Sequence, residues 1–450
     1  MFNRVLNTRR TIVVFAAILS LGAYALAFGS TGAGSPTGEG ILEILLELVV
    51  ILLAAKLGGD LFERLGLPPV LGELVLGIVI GNLRLFGIPV FDGFARSITL
   101  EILAELGVII LLFQVGLEST VQEMRKVGWT SLLVAVFGIA APFALGWMVS
   151  NWFLPEETIY VHAFIGATLC ATSVGITARV LKDLDKATTR EAHIILGAAV
   201  IDDILGLIIL SVVTGIISAA AHSSADGVSF GTVLWIVAKA TLFLFGALAI
   251  GSFLVPQVFK FALRLRGTGV FLSFCLLVCF GLSYLSGKAG LAPIVGAFAA
   301  GLILDKVPFQ AVEDRGKHYI EELIAPIAVF LVPIFFVRMG TLVDLTTFSH
   351  ISILGFAAVL TLAAIVGKQA CSLAIFDRTT NRLAVGLGMI PRGEVGLIFA
   401  GIGASLVLNG HPVVSPQTYS AVIIMVIVTT LVTPPLLKWS LQRGARRSRK

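Results

Sequence analysis

The sequence predicts an all-α polytopic membrane protein with inverted-topology repeats and two discontinuous helices. Three observations carry that prediction. Of 450 residues, 57% are hydrophobic and 13% charged, whereas soluble domains average about 45–50% and about 25%; mean hydropathy is +1.00. Fourteen apolar stretches, each near the roughly 20 residues that cross a bilayer, follow one another along the chain. A motif recurs at a constant offset of 224 residues. Scarce charge and abundant aliphatics exclude intrinsic disorder. Four cysteines, all inside apolar stretches, exclude a disulfide scaffold.

The apolar stretches fall at roughly 11–29, 41–57, 68–83, 99–117, 129–153, 158–178, 192–219, 231–257, 269–286, 289–304, 321–341, 351–376, 382–409 and 417–438. Gly, Pro, Asp and basic residues punctuate the short turns between them. The first stretch follows Arg4, Arg9 and Arg10 and ends in Ala25-Leu26-Ala27. That pattern fits either a secretory signal or an extra transmembrane helix. Residues 1–40 are therefore read as signal or extra helix plus linker, 41–440 as the membrane domain, and 441–450 as a basic cytoplasmic tail. With the N-terminus inside, 25 of the 32 Lys and Arg residues fall in cytoplasmic loops and tails or at the cytoplasmic ends of stretches (Lys56, Arg382 and Lys438), and three fall outside. That asymmetry obeys the positive-inside rule and supports the span count. The chain stops about a dozen residues after the last stretch, so no nucleotide-binding regulatory domain is expected.

The repeat pairs "GLPPVLGELVLG" from Gly66 with "GLAPIVGAFAAG" from Gly290. Gly66/Gly290, Pro69/Pro293, Gly72/Gly296 and Gly77/Gly301 coincide, and Gly116 matches Gly340 at the same offset. The paired stretches are seven spans apart, an odd number, so the copies run in opposite directions. Inverted repeats of this kind build secondary transporters with a site near mid-membrane, carried by discontinuous helices. "GATLCATSVGIT" in the sixth stretch and "IPRGEVGLIFAG" in the thirteenth stand 224 residues apart, the latter broken by Pro391 and Gly393.

Charges inside the membrane are costly and point to function. Asp202 and Asp203 stand side by side in "GAAVIDDILGLIIL". Two close carboxylates resist double ionisation, so the pair suits a site holding either a proton or a hard cation such as Na⁺ or Li⁺. Lys368 in "AAIVGKQACSL" is expected to pair with Asp202. Arg392 and Glu394 flank the Pro-Gly break, where they compensate the ends of half-helices. Arg338 suits a structural ion pair, with Glu73 or Glu105 as conceivable partners. Lys239, one turn from Trp235, reads as snorkelling to the interface. No nucleophile–base set or metal-ligand cluster is present, so an enzyme is not expected.

These residues resemble the cation/proton antiporter (CPA) superfamily, in particular the NapA-like sodium/proton antiporters. The likeness covers essentially residues 40–440, and its specific pieces are "TLCATSVGIT", "VIDDILGL", the lysine of "VGK" and "GMIPRGEVGLI". The resemblance implies the NhaA/NapA-like fold of 13 helices, a homodimer, and a mobile core domain in which two broken helices cross. It implies Asp203 as the main ion and proton carboxylate, with Asp202 as its partner, bonded to Lys368 when no cation is present. Na⁺ would sit at Asp203, Asp202 and Thr172, with Thr172 and Ser173 lining the crossing and Arg392 and Glu394 forming its charged pair. The Asp-Asp form resembles electrogenic members. No cofactor is implied beyond the transported Na⁺ or Li⁺ and H⁺, and no nucleic-acid partner. The expected function is Na⁺/H⁺ exchange by alternating access in a bacterial inner membrane. The alternatives are a K⁺/H⁺ antiporter of the potassium-efflux type and, further off, a sodium-coupled organic-anion symporter or a channel.

Overall fold

The computed structural model describes residues 36–87, 94, 97–118, 128–186, 188–222, 230–262, 264–265, 269–305, 318–349, 351–377, 380–408 and 410–447. The first predicted span and the last residues of the basic tail lie outside them. Each of the other predicted spans contains helix, two of them with a break. In chain order the helices are α1 (Pro36–Arg64), α2 (Pro69–Gly81), α3 (Ile98–Glu118), α4 (Trp129–Phe153), α5 (Ile159–Thr168), α6 (Val174–Asp183), α7 (Arg190–His222) and α8 (Phe230–Ala262). They continue with α9 (Val270–Lys288), α10 (Pro293–Asp305), α11 (His318–Thr341), α12 (Ile351–Gln369), α13 (Arg382–Gly388), α14 (Gly393–Ser405) and α15 (Pro416–Arg447). The two-residue strands β1 (Val407–Leu408) and β2 (His411–Pro412) pair antiparallel around Gly410.

Among the described residues, eight helices are long and apolar enough to cross a membrane, and nine if the bent pair α13–α14 counts as one span. The chain is an integral, multi-pass membrane protein. The span windows at 68–83 and 289–304 contain helices of only 13 residues each. At 1.5 Å per residue these are about 20 Å long, short of the roughly 30 Å hydrocarbon core. Helix α1 carries Glu43, Glu47, Lys56 and Asp60, which keeps it out of the apolar class.

The chain divides into two compact units. The first comprises residues up to 108 together with 327–346, and contains α1, α2 and parts of α3 and α11. The α1–α2 turn needs Gly66 at φ +75°, a left-handed conformation that costs glycine nothing. Leu67 N–H donates to Phe62 C=O at 2.9 Å and Gly66 N–H to Glu63 C=O at 2.9 Å, closing the helix end. Gly72 lies against the Gly58 backbone, and Gly77 against the backbone of Val337 and Gly340, so closely that a Cβ would overlap it.

The second unit comprises 109–326 and 347–450, and the same pattern recurs in it 224 residues on. Gly290 has φ +76°. Leu291 N–H donates to Ser286 C=O at 3.0 Å and Gly290 N–H to Gly287 C=O at 2.9 Å. Gly296 lies against the Leu282 backbone, and Gly301 against Phe113 and Gly116. The contact of Gly77 with Gly340 thus has its counterpart in that of Gly301 with Gly116. The repeat seen in the sequence is reproduced contact by contact, because close backbone approach admits only glycine at those points. Lys239, read as snorkelling, brings its ammonium to the end of α9, 3.6 Å from where a Cβ of Gly290 would stand. A cation at a helix C-terminus is favourably placed in the helix dipole. Around Pro142, α4 packs on α12 at Gly367 and on α5 through Gly146 and Gly166. Large apolar side chains face outward, Ile351 at 87% exposure and Trp152 at 77%, as lipid-facing surfaces do.

Candidate functional site: two broken helices and an aspartate pair

The site lies wholly in the second unit. Helix α5 stops at Thr168, whose hydroxyl turns back to the Ile165 carbonyl at 2.7 Å. Residues 169–173 are unwound, and Ser173 is extended at φ −91°, ψ 101° before α6 begins. Helix α13 stops at Gly388, and α14 starts at Gly393 after Pro391 and Arg392, with a 45° bend between the two. Proline cannot donate a backbone hydrogen bond, and Gly393 takes φ +38°.

Unwound backbone inside a membrane must find partners within the protein, and here each break serves the other. Ser173 N–H donates to the Pro391 carbonyl at 2.8 Å. The Thr177 hydroxyl donates to the Gly388 carbonyl at 2.6 Å, and Thr172 to the Met389 carbonyl at 3.5 Å. The Arg392 guanidinium donates to the Ala171 carbonyl and, at 3.4 Å, to the Ala364 carbonyl on α12. Gly393 N–H reaches the Thr430 hydroxyl at 3.2 Å on α15. The two discontinuous helices therefore cross at their breaks.

Asp202 and Asp203 approach this crossing from α7. Asp202 is 1% exposed, and Lys368 on α12 is fully buried. The Lys368 ammonium stands 3.2 Å and 3.4 Å from the two Asp202 carboxylate oxygens, and donates to the Cys170 carbonyl at 2.7 Å. The Asp202 carboxylate is the alternative acceptor for the single Thr172 hydroxyl hydrogen. Asp203 is less enclosed than Asp202. Both aspartates line a cavity of about 10 Å³ with Ala171, Val115, Val395 and Phe399, room for about one water. The acids near Asp203 are Asp202, Glu394 and Glu118.

The structure brings Asp202, Asp203, Thr172, Ser173, Lys368, Arg392 and Glu394 together. Arg338 lies in the first unit, where its guanidinium meets Glu101 at 3.2 Å. Of the conceivable partners, Glu105 lies within electrostatic reach of Arg338, but the direct contact is with Glu101 at the first turn of α3, which the sequence did not single out. Arg392 and Glu394 both stand at the break, and the Glu394 carboxylate accepts the Ser173 hydroxyl at 2.7 Å. The carbonyls of Cys170, Ala171 and Ala364 also went unforeseen, because a backbone carbonyl has no signature in sequence. Thr430 had a weak one, the adjacent Thr429 and Thr430 that interrupt the aliphatic run Val422–Val428.

Crossed half-helices around buried carboxylates, in a polytopic membrane protein, define the class of secondary transporters with a mid-membrane ion site. Within that class, residues 48–443 match the profile of the sodium/hydrogen exchanger transmembrane family, and the chain belongs to it. It is 39% identical over 429 residues to the high-affinity Na(+)/H(+) antiporter NhaS3 of Synechocystis, covering 88% of this chain and 89% of the relative. It is 36% identical to the Na(+)/H(+)-K(+) antiporter GerN of Bacillus cereus, covering 88% and 96%. Among solved structures, the sodium proton antiporter MjNhaP1 of Methanocaldococcus jannaschii at pH 8 superposes with TM-score 0.69 at 19% identity, over 90% of this chain and 98% of that one. That likeness is one of fold.

Proposed function

We propose that this protein exchanges Na⁺ or Li⁺ for H⁺ across a bacterial inner membrane by alternating access, serving pH homeostasis. The carrying observation is the Lys368 ammonium seated between the Asp202 carboxylate and the Cys170 carbonyl, beside Asp203. In this reading Asp203 loses its proton on one side, the Asp202–Lys368 pair opens as the ammonium gives up a second proton, and a cation takes their place with oxygens from Thr172 and Ser173. The core domain then carries the site to the other side, where protons displace the cation. Competition for one seat couples the two fluxes. The adjacent acids and the ammonium support an electrogenic exchange of more protons than cations. Residues 41–440 form the antiporter domain, with core and dimerisation subdomains interleaved. The working unit is a homodimer, and the distribution of basic residues supports a cytoplasmic C-terminus.

The test is proton flux in proteoliposomes holding a pH gradient, with Na⁺, Li⁺ and K⁺ added in turn to wild type and Asp203→Asn. Na⁺ or Li⁺ should dissipate the gradient in wild type and leave Asp203→Asn silent. Full activity in Asp203→Asn removes that residue from the site. K⁺/H⁺ exchange is the second reading, favoured by the relative whose activity includes K⁺. A response to K⁺ alone would establish it. No response to any cation would point to the symporter or channel.

A further inference from the structure

The two cations of the crossing are spent on oxygens other than Glu394. Lys368 holds Asp202 and the Cys170 carbonyl, and Arg392 holds the carbonyls of Ala171 and Ala364. Glu394, two residues past Arg392, instead accepts the Ser173 hydroxyl at 2.7 Å. Ser173 occupies the N-cap of α6, where a serine oxygen ordinarily accepts an amide of the first turn. Here it makes no such cap bond. A hydroxyl has one hydrogen and two lone pairs. With the hydrogen committed to a carboxylate, in a charge-assisted bond roughly twice as strong as a neutral one, both lone pairs of the buried Ser173 oxygen stay available. The local backbone is shaped for this contact. Gly393 passes so close that a Cβ there would stand 2.5 Å from the Ser173 oxygen. Ser173 stands two residues after Ala171, which lines the cavity shared with Asp202 and Asp203, and its neighbour Glu394 is among the acids whose charge reaches Asp203.

We infer that Glu394 is a positioning residue that holds the hydrogen of Ser173 and thereby presents the serine oxygen as a ligand to the transported cation. The inference rests on the proposed cation exchange and adds a carboxylate that acts through a hydroxyl rather than as charge compensation for the half-helix ends. It separates two kinds of replacement. Glutamine keeps an oxygen that can accept from Ser173, whereas leucine keeps the bulk and removes the acceptor.

The experiment measures apparent KM for Na⁺ and maximal rate in proteoliposomes for wild type, Ser173→Ala, Glu394→Leu, Glu394→Gln and Ser173→Ala/Glu394→Leu. Loss of one such ligand is worth about tenfold in affinity. Glu394→Leu and Ser173→Ala should each raise KM about tenfold, with a smaller change in maximal rate. Glu394→Gln should recover to within about threefold of wild type. The double variant should match Ser173→Ala alone, because both changes remove one interaction. Glu394→Gln as impaired as Glu394→Leu would mean that charge alone matters and would overturn the inference, as would additive effects or an unshifted KM. If Glu394→Leu does not elute as a folded species, Glu394→Ala, which also removes the acceptor, takes its place in the same cycle with Ser173→Ala. A wild type without cation-driven flux removes the exchange reading itself; an active wild type with unshifted variants removes only the role of Glu394.

Discussion

At the scale of the residue, the buried Asp202–Lys368 pair sets the energetics of the site. Removing one partner from a buried ion pair leaves the other uncompensated, at a cost of about 3–5 kcal/mol. Lys368→Ala should therefore lower the thermal unfolding midpoint of the detergent-solubilised protein. Lys368→Ala/Asp202→Asn should recover much of the loss, because the stranded carboxylate is gone. A double variant no more stable than the single one would show that the ammonium acts mainly through the Cys170 carbonyl. In flux measurements, Lys368→Ala should also change the pH dependence or the ion stoichiometry of exchange.

At the scale of the element, the glycine contacts make the two copies of the repeat controls for each other. Gly77→Val on α2 and Gly301→Val on α10 each push a branched side chain into a facing backbone. Overpacking of this kind costs about 1–3 kcal/mol. Both variants should lose thermal stability by similar amounts, read by fluorescence-detected size exclusion after heating; a loss confined to one would break the equivalence. Much of this layer was legible in the sequence. Gly66 and Gly290 announced their turns, and Pro391 with Gly393 announced a break, because backbone chemistry is written in residue type. Span lengths were less legible, since an apolar window is blind to where α2, α5 and α10 actually end. The acceptors of Arg392 and Lys368 were not legible at all. They are main-chain oxygens that exist as ligands only once a helix has come undone. The direct contact of Arg338 with Glu101, one turn before the Glu105 that the sequence offered, belongs to the same category, because choosing among acids takes three-dimensional register.

At the scale of the whole molecule, the proposed homodimer and the proposed stoichiometry are separately measurable. Native mass spectrometry from detergent should find two copies of the chain, and a single copy at all concentrations would remove the dimer. If more protons than sodium ions move per cycle, an imposed membrane potential should speed or slow sodium-driven proton flux; indifference to potential would mean one-for-one exchange. In the proposed exchange, the seat that an incoming cation needs is held at rest by the protein's own ammonium, on a four-carbon tether. A tethered rival has an effective concentration fixed by its linker and independent of the medium. The apparent affinity for sodium would then measure a contest rather than a bare attraction, and shortening or neutralising the tether at position 368 would alter the threshold concentration at which the exchanger starts to work.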